Sequence, residues 1–391
     1  MTTRTGSLLV FAQDAGGARA IVPVVQSLFE SSRRPLQVVS HLFAADVFRE
    51  AGIPAADLRE FGMRVPLTPE EALSVLVRWS PAAIFCATAN NSYDPSNGEL
   101  IRAARELRIP CFAIMDHWKG WSRLHRDERD LYYLPDLLGV IDEASRARGI
   151  REGVPAEQMA IVGHPYLEAL FASRRQWGGD REETRRSVPE GFVCTLFTQP
   201  AVMGEGGRVS VRPLLEGARA EAVAEVFRSC EKCLGQRGRT VQFFIRLHPR
   251  EIANMQDGGV SFPGARTDTV SPALQLARSS NLVLGLDSMI LYEAMFSGRP
   301  TFSLRIGALA EMPGAFEDSP GLLPEMRTIE EFEEAFERLL DTLRRGNGGG
   351  SPSEAAAYPL PAGATETCGR ILKRMMESPR RLPSPSAEAK R

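Results

Sequence analysis

Short, uninterrupted apolar runs alternate with amphipathic stretches along most of this chain, and that alternation restricts its fold more than any other feature. A run such as Ser7–Ala12 or Ala82–Ala87 has no polar face, so a strand made from it must be covered on both sides. The stretch Gly17–Glu30, with Ile21, Val24, Val25 and Leu28 at helical spacing, can supply such a cover. The pattern predicts strands at Ser7–Ala12, Leu36–His41, Ala82–Ala87, Pro110–Met115, Leu137–Ile141 and Met159–Val162. Helices are expected over Gly17–Glu30, Ala44–Ala51, Pro69–Trp79, Asn97–Leu107 and Tyr166–Arg175. Strands and helices in that order make an α/β doubly wound domain with a parallel sheet.

After His164-Pro165 and its helix the pattern breaks. Gln176–Pro189 is charged and poor in apolar residues, as a linker would be. The alternation then restarts, with strands expected at Gly191–Phe197, Thr240–Leu247, Asn281–Leu286 and Pro300–Leu304. Helices are expected over Pro213–Leu234, Pro272–Arg278, Ser288–Ser297 and Ile329–Arg344, the last opened by a Thr328/Glu331 capping box. A length of 391 residues suits two domains of about 100–200 residues each. The boundaries read as 1–175 for an N-terminal domain and 190–345 for a C-terminal one. A Gly/Pro-rich loop at 346–363, a helix at 364–378 and a polar, Pro-rich tail at 379–391, expected to be disordered, follow.

Forty-seven basic against 49 acidic side chains leave a net charge of −2, which argues against a general nucleic-acid binder. No apolar run reaches the roughly 18–20 residues that span a bilayer, and Met1–Gly6 lacks a secretory pattern, so a cytoplasmic location is expected. The tail's Arg380, Arg381, Lys390 and Arg391 leave room for a peripheral contact with anionic lipid; a solvated tail is the plainer reading. The six cysteines sit in apolar surroundings and read as reduced, buried thiols. Cys230 and Cys233 form a lone CxxC inside a helical pattern, and without a second pair no metal is expected there.

In doubly wound sheets ligands bind beyond the carboxyl ends of the strands, so the strand-to-helix turns are the places to search. The first, Gln13-Asp14-Ala15-Gly16-Gly17, lets a ligand approach the backbone at its two glycines. It is not GxGxxG, which speaks against a dinucleotide. Asp14 is a candidate base or sugar ligand, the competing reading being a tight packing turn. Asn90 lies on a turn rich in neutral hydrogen-bonding groups. Asp116-His117-Trp118 combines a carboxylate, a candidate general base and a flat aromatic face; capping and packing are the plainer roles. Gly16, Gly17, Asn90, Asp116 and Trp118 are therefore candidates for binding an acceptor.

In the second half, Arg246-Leu247-His248-Pro249-Arg250 ends an apolar strand and has the donors to hold phosphate, with a structural salt-bridge cluster as the alternative. Asp287-Ser288 opens a helix, where an anion is favoured, although Asp287 would also serve as an N-cap. Glu293 sits on an otherwise apolar helix and needs a partner, such as ribose hydroxyls. Thr198 and Gln199 add further candidate phosphate contacts, and Gly204–Gly207 reads as a mobile loop.

These residues resemble those of the GT-B glycosyltransferases. The segment Asn281–Pro300 is similar to the nucleotide-binding strand–helix–strand of bacterial polysaccharide-assembling transferases and of UDP-GlcNAc 2-epimerases. Phe48–Ile53 and Val162–Leu167 resemble those groups as well. The resemblance implies two Rossmann-like domains facing across a cleft. It also implies that Arg246, His248 and Ser288 hold the donor phosphates and Glu293 the ribose. The expected activity is metal-independent transfer of a sugar from a nucleotide-activated donor to an acceptor hydroxyl, on a saccharide or small molecule. Asp14 or His117 would act as base and His248 would stabilise the leaving phosphate. The nucleotide sugar is then a substrate, and no cofactor is implied. Two alternatives stand beside this: a nucleotide-sugar 2-epimerase or hydrolase of the same fold, and a non-catalytic nucleotide-binding protein.

Overall fold

The computed structural model describes residues 6–31, 35–91, 94–127, 130–174, 191–205, 208–253, 262–312, 320–345 and 358–377. The linker Gln176–Pro189, residues 346–357 of the Gly/Pro-rich loop and the tail at 379–391 lie outside the described residues. The chain divides into two compact units, one within Met1–Ala169 and Tyr358–Arg391 and the other within Leu170–Ala357.

Among the described residues the first unit is built on seven parallel strands. They are β1 (Leu8–Ala12), β2 (Leu36–Ser40), β3 (Ala56–Asp57), β4 (Ala83–Ala87), β5 (Cys111–Ile114), β6 (Leu137–Val140) and β7 (Met159–Ile161). Their order is β3-β2-β1-β4-β5-β6-β7, so the direction of winding reverses between β1 and β4. Strand periodicity decides what each face meets. Leu8, Val10 and Ala12 point to one layer, with Ile21 and Val24 of α1 (Ala15–Ser31). Leu9 and Phe11 point to the other, with Val75 of α3 (Pro69–Trp79) and Leu100 of α4 (Ser96–Glu106). Thr68 starts α3 with a reciprocal capping box to Glu71, and Pro69 fits the first helical position. The remaining helices of this stretch are α2 (Ala44–Glu50), α5 (Glu143–Arg151) and α6 (Pro165–Ser173).

The second unit repeats the plan with β8 (Phe192–Phe197), β11 (Val241–Arg246), β12 (Ala265–Asp268), β13 (Leu282–Gly285), β14 (Thr301–Leu304) and β15 (Glu325–Met326). These pair in parallel in the order β12-β11-β8-β13-β14-β15, reversing between β8 and β13. The helices are α7 (Gly217–Gly235), α8 (Pro249–Ala253), α9 (Ala273–Ser279), α10 (Met289–Phe296) and α11 (Ile329–Arg345). Phe332, Phe336 and Leu340 of α11 enter the core, where Phe336 meets Phe192 edge-on at 5.4 Å. Cys230 and Cys233 are buried, free thiols in that core.

Two expectations are corrected here. Gly204 does not lie in a loop: β9 (Ala201–Glu205) and β10 (Arg208–Arg212) pair antiparallel as a hairpin, with Gly206 and Gly207 outside the described residues. At α11, Thr328 Oγ1 accepts from Glu331 N at 3.2 Å, but the Glu331 carboxylate reaches Arg327 N (2.8 Å), one residue earlier than a capping box requires.

The last helix, α12 (Ala364–Glu377), belongs to the first unit, where Cys368, Ile371, Leu372, Met375 and Met376 join the core around α1. The Glu168 carboxylate fixes its start, accepting from Gly363 N (2.5 Å) and Ala364 N (2.9 Å). A charged acceptor at a helix N-terminus satisfies two of the orphan donors there. Glu168→Ala is therefore expected to cost about 1–2 kcal/mol, read as an earlier urea midpoint, and Glu168→Gln to cost less.

Candidate functional sites at the two reversal points

In the first unit the turns after β1, β4 and β5 converge at the reversal point, where a parallel sheet binds its ligands. The Asp14 carboxylate accepts from Asn90 N at 3.0 Å and so ties the first turn to the one after β4. Gln13 makes a second tie, donating to the Asp94 carbonyl (2.8 Å) and accepting from Asn97 N (3.0 Å). Gly16 is required by its neighbour. A Cβ there would lie 2.7 Å from Asp116 Oδ2, so only glycine lets that carboxylate rest against the first turn of α1. At Gly17 a Cβ would meet Ala87 Cβ at 2.9 Å, which makes this glycine a helix–strand packing residue.

Asp116 is buried, and its other oxygen is ion-paired with Arg123 Nη1. The same Nη1 lies 3.3 Å from the Thr88 carbonyl and 3.4 Å from its hydroxyl. Burial opposes the Arg123 charge, but Asp116 and Asp14 together hold its pKa above the ordinary value. Among the described residues Nε and Nη2 of Arg123 donate to no partner, so the clamped guanidinium keeps donors for a ligand on the edge that lies beside Gly120. The Asp116 carboxylate therefore lies against the first turn of α1, where a phosphate would meet a negative charge already in place.

His117 Nδ1 accepts from Lys119 N at 3.0 Å, which puts the ring proton on Nε2. Burial lowers its pKa to about 3, so the ring is a neutral donor rather than a ready base. His164 is also held neutral by burial; its Nε2 lies 3.2 Å from the Asp116 carbonyl, and its Nδ1 accepts from Leu167 N. Below pH 6.5 the unfolded chain takes up protons that these rings refuse, so stability falls as the pH drops and is unaffected above that value. The slope is at most about 1.4 kcal/mol per pH unit for each ring. Urea midpoints at pH 7 and pH 5 should show the loss, with no shift of the His117 ring resonances between them.

Trp118 corrects an expectation. It is 2% exposed and its Nε1 donates to Asp142 Oδ2 (2.7 Å), so its ring packs inside the unit and offers no face to a sugar. The structure also adds a pair with no sequence signal: His41 Nε2 meets Asp94 Oδ2 at 2.9 Å, both buried. Burial opposes ionisation of Asp94, but hydrogen bonds from His41 and Ser96 lower its pKa overall.

In the second unit Thr198 and Gln199 follow β8, and Asp287 and Ser288 follow β13, on either side of the reversal. Gln199 Oε1 accepts from Asp287 N at 3.3 Å. Asp287 is buried and accepts from the Tyr292 hydroxyl, which ties the turn after β13 to α10; the N-cap position itself is Ser288. Ser288 stands at the N-cap of α10 without capping it, and its Oγ has no hydrogen-bond partner among the described residues. Glu293 is 4% exposed on the same helix. Arg246 turns towards the neighbouring strand, lying 3.2 Å from the Asp268 carbonyl and 3.6 Å from its carboxylate. Thr198 is 3% exposed, and its hydroxyl accepts from His248 N at 2.8 Å. Arg250 lies in α8, with its side chain outside what the structure describes.

No protein-family model and no curated protein matches this sequence. Solved structures do match over nearly the whole chain. A putative UDP-N-acetylglucosamine 2-epimerase from Listeria monocytogenes aligns with a TM-score of 0.64 at 15% identity, covering 97% of this chain and 98% of that one. The UDP-GlcNAc 2-epimerase from Neisseria meningitidis, bound to UDP-GlcNAc, gives 0.61 at 16%, covering 94% and 100%. The glycotransferase of kitacinnamycin gives 0.52 at 12%, covering 94% and 98%.

Two doubly wound units of parallel strands with this coverage define a GT-B fold. In fold the chain is similar to these UDP-GlcNAc 2-epimerases.

Proposed function

We propose that this protein is an enzyme of nucleotide-sugar chemistry, and that it acts on the sugar nucleotide alone, as a 2-epimerase or hydrolase does. The observation that carries this is the contrast between the two reversal points. In the first unit Asp116 lies against the helix start, and the groups gathered there are two carboxylates, an arginine and a neutral histidine. In the second the helix start is headed by Ser288, whose hydroxyl has no partner among the described residues, with the His248 turn following β11, on the far side of β8 from β13. Anions suit the second site and proton transfer suits the first.

Inverting C2 of a sugar requires a proton to leave one face and return to the other, and hydrolysis requires a water to be activated at C1. Asp14 provides a carboxylate for such work beside the Asp116–Arg123 ion pair, with Arg123 and the His117 Nε2–H as donors. His248, the α10 start and Glu293 would receive diphosphate and ribose. The 2-epimerases among the structural neighbours support this reading; the kitacinnamycin glycotransferase supports a second one, transfer to an acceptor hydroxyl.

Incubation with UDP-GlcNAc alone in D2O separates these readings by NMR. Epimerisation puts deuterium at C2 and produces the C2 epimer; hydrolysis releases sugar and UDP with C2 still protonated. Consumption that begins only when a hydroxyl acceptor is added would overturn the proposal in favour of transfer.

A further inference from the structure

Glu251 is the buried ionisable residue at the second site to which nothing above assigns a role. It is 3% exposed and sits one turn into α8, a helix of five residues. Its Oε1 accepts from Leu214 N at 2.8 Å. Its Oε2 accepts from His248 N at 3.0 Å and from the Thr198 hydroxyl. One carboxylate thus gathers the turn after β8, the turn after β11 and the segment between the β9–β10 hairpin and α7.

The bond to His248 N is half of a capping box, since Glu251 lies three residues after the residue that precedes the helix. A cap needs no more than that. The other two bonds reach residues 37 and 53 positions away, neither of them on α8. Burying a charged carboxylate costs several kcal/mol unless donors surround it, and the donors supplied here are those that set the geometry of the strand-end turns. With its main-chain N–H shared between Thr198 and Glu251, His248 can meet a ligand through its imidazole and not through that amide. The Thr198 hydroxyl, likewise engaged with both, holds the turn rather than a phosphate.

We propose that Glu251 is a positioning residue for the nucleotide-diphosphate site, fixing the backbone from which the His248 imidazole projects. This rests on the reading of that site as the one that receives the nucleotide. The carboxylate does not touch the ligand; it acts through His248 and Thr198.

A double-mutant cycle on the full chain tests it, with UDP as the probe in titration calorimetry. Glu251→Gln keeps the shape but turns an amide N–H2 towards one of the donors, and His248→Ala removes the imidazole. Each single variant should weaken UDP binding by about tenfold, and the double variant by little more than either alone, since the two act as one unit. Thr198→Val, which removes one of the carboxylate's three donors, should weaken binding in the same direction while keeping the wild-type circular dichroism. A residue that only stabilises the fold would lower the melting temperature and leave the affinity of the folded protein unchanged. UDP affinity unchanged in Glu251→Gln, or losses that multiply in the double variant, would overturn the proposal while leaving the nucleotide site in place. Failure of the wild type to bind UDP would remove the nucleotide reading, and this role with it.

Discussion

Asp14→Asn is expected to slow turnover of a UDP-sugar by about two to four orders of magnitude, the usual contribution of a positioned general base. The amide oxygen can still accept from Asn90 N, as the carboxylate does at 3.0 Å, so the tie between the two turns is kept while the proton-accepting capacity and the charge that supports Arg123 are lost. Of the two acidic residues at this point Asp14 is the better base. Asp116 is already committed to Arg123 and to the start of α1, and its burial leaves little room for a substrate proton. His117 is a poor base too, because a ring neutral down to about pH 3 has little affinity for a proton at neutral pH. Initial rates and UDP titrations on the same preparation check the expectation. A parallel loss of UDP affinity would place Asp14 with the nucleotide instead.

Arg123→Leu should be the most damaging single change in the first unit. It leaves Asp116 buried without its counter-charge and removes the guanidinium that spans the ends of β4 and β5. Losing one member of a buried pair costs about 3–5 kcal/mol; the lower end applies here, because 20% of the Arg123 side chain still reaches solvent. Urea denaturation of the variant gives the number. Adding Asp116→Asn should restore part of the stability without restoring turnover, since the lone buried charge disappears while the clamped donor edge stays absent.

The parts of the fold legible in the sequence were those carried by burial. Strands such as Ala83–Ala87 and Phe192–Phe197 are apolar on both faces, and α3 announces itself through Thr68, Pro69 and Glu71. The missed elements lack that signal. β3 is two residues long, and β12 reads Ala-Arg-Thr-Asp at an edge where no core face is required. Helix α5, Glu143–Arg151, has no continuous apolar stripe and is started instead by Asp142, whose side chain accepts from Ser145 N. The site divides in the same way. Residues at strand ends could be picked out as candidates, because topology places ligands there. Which of them meet each other depends on pairings between distant segments. His41 and Asp94 are 53 positions apart, and neither Arg123 with Asp116 nor Glu251 with Leu214 follows a spacing that marks a motif. The contact of Arg246 with Asp268, its partner on the adjacent strand, is another such pairing.

Helix α12 gives the chain an order of assembly. The second unit is continuous, so all of its strands exist once synthesis has passed Met326. The first unit begins earlier but is completed by residues 364–377, and until then the faces of α1 and β4 that will hold Ile371, Leu372 and Met375 remain open. During translation, at about 5–20 residues per second, the earlier-made unit must therefore wait roughly 10–40 s with apolar surface uncovered while the later one is made. The Glu168 carboxylate waits with it, the docking point for a helix whose arrival closes the first unit.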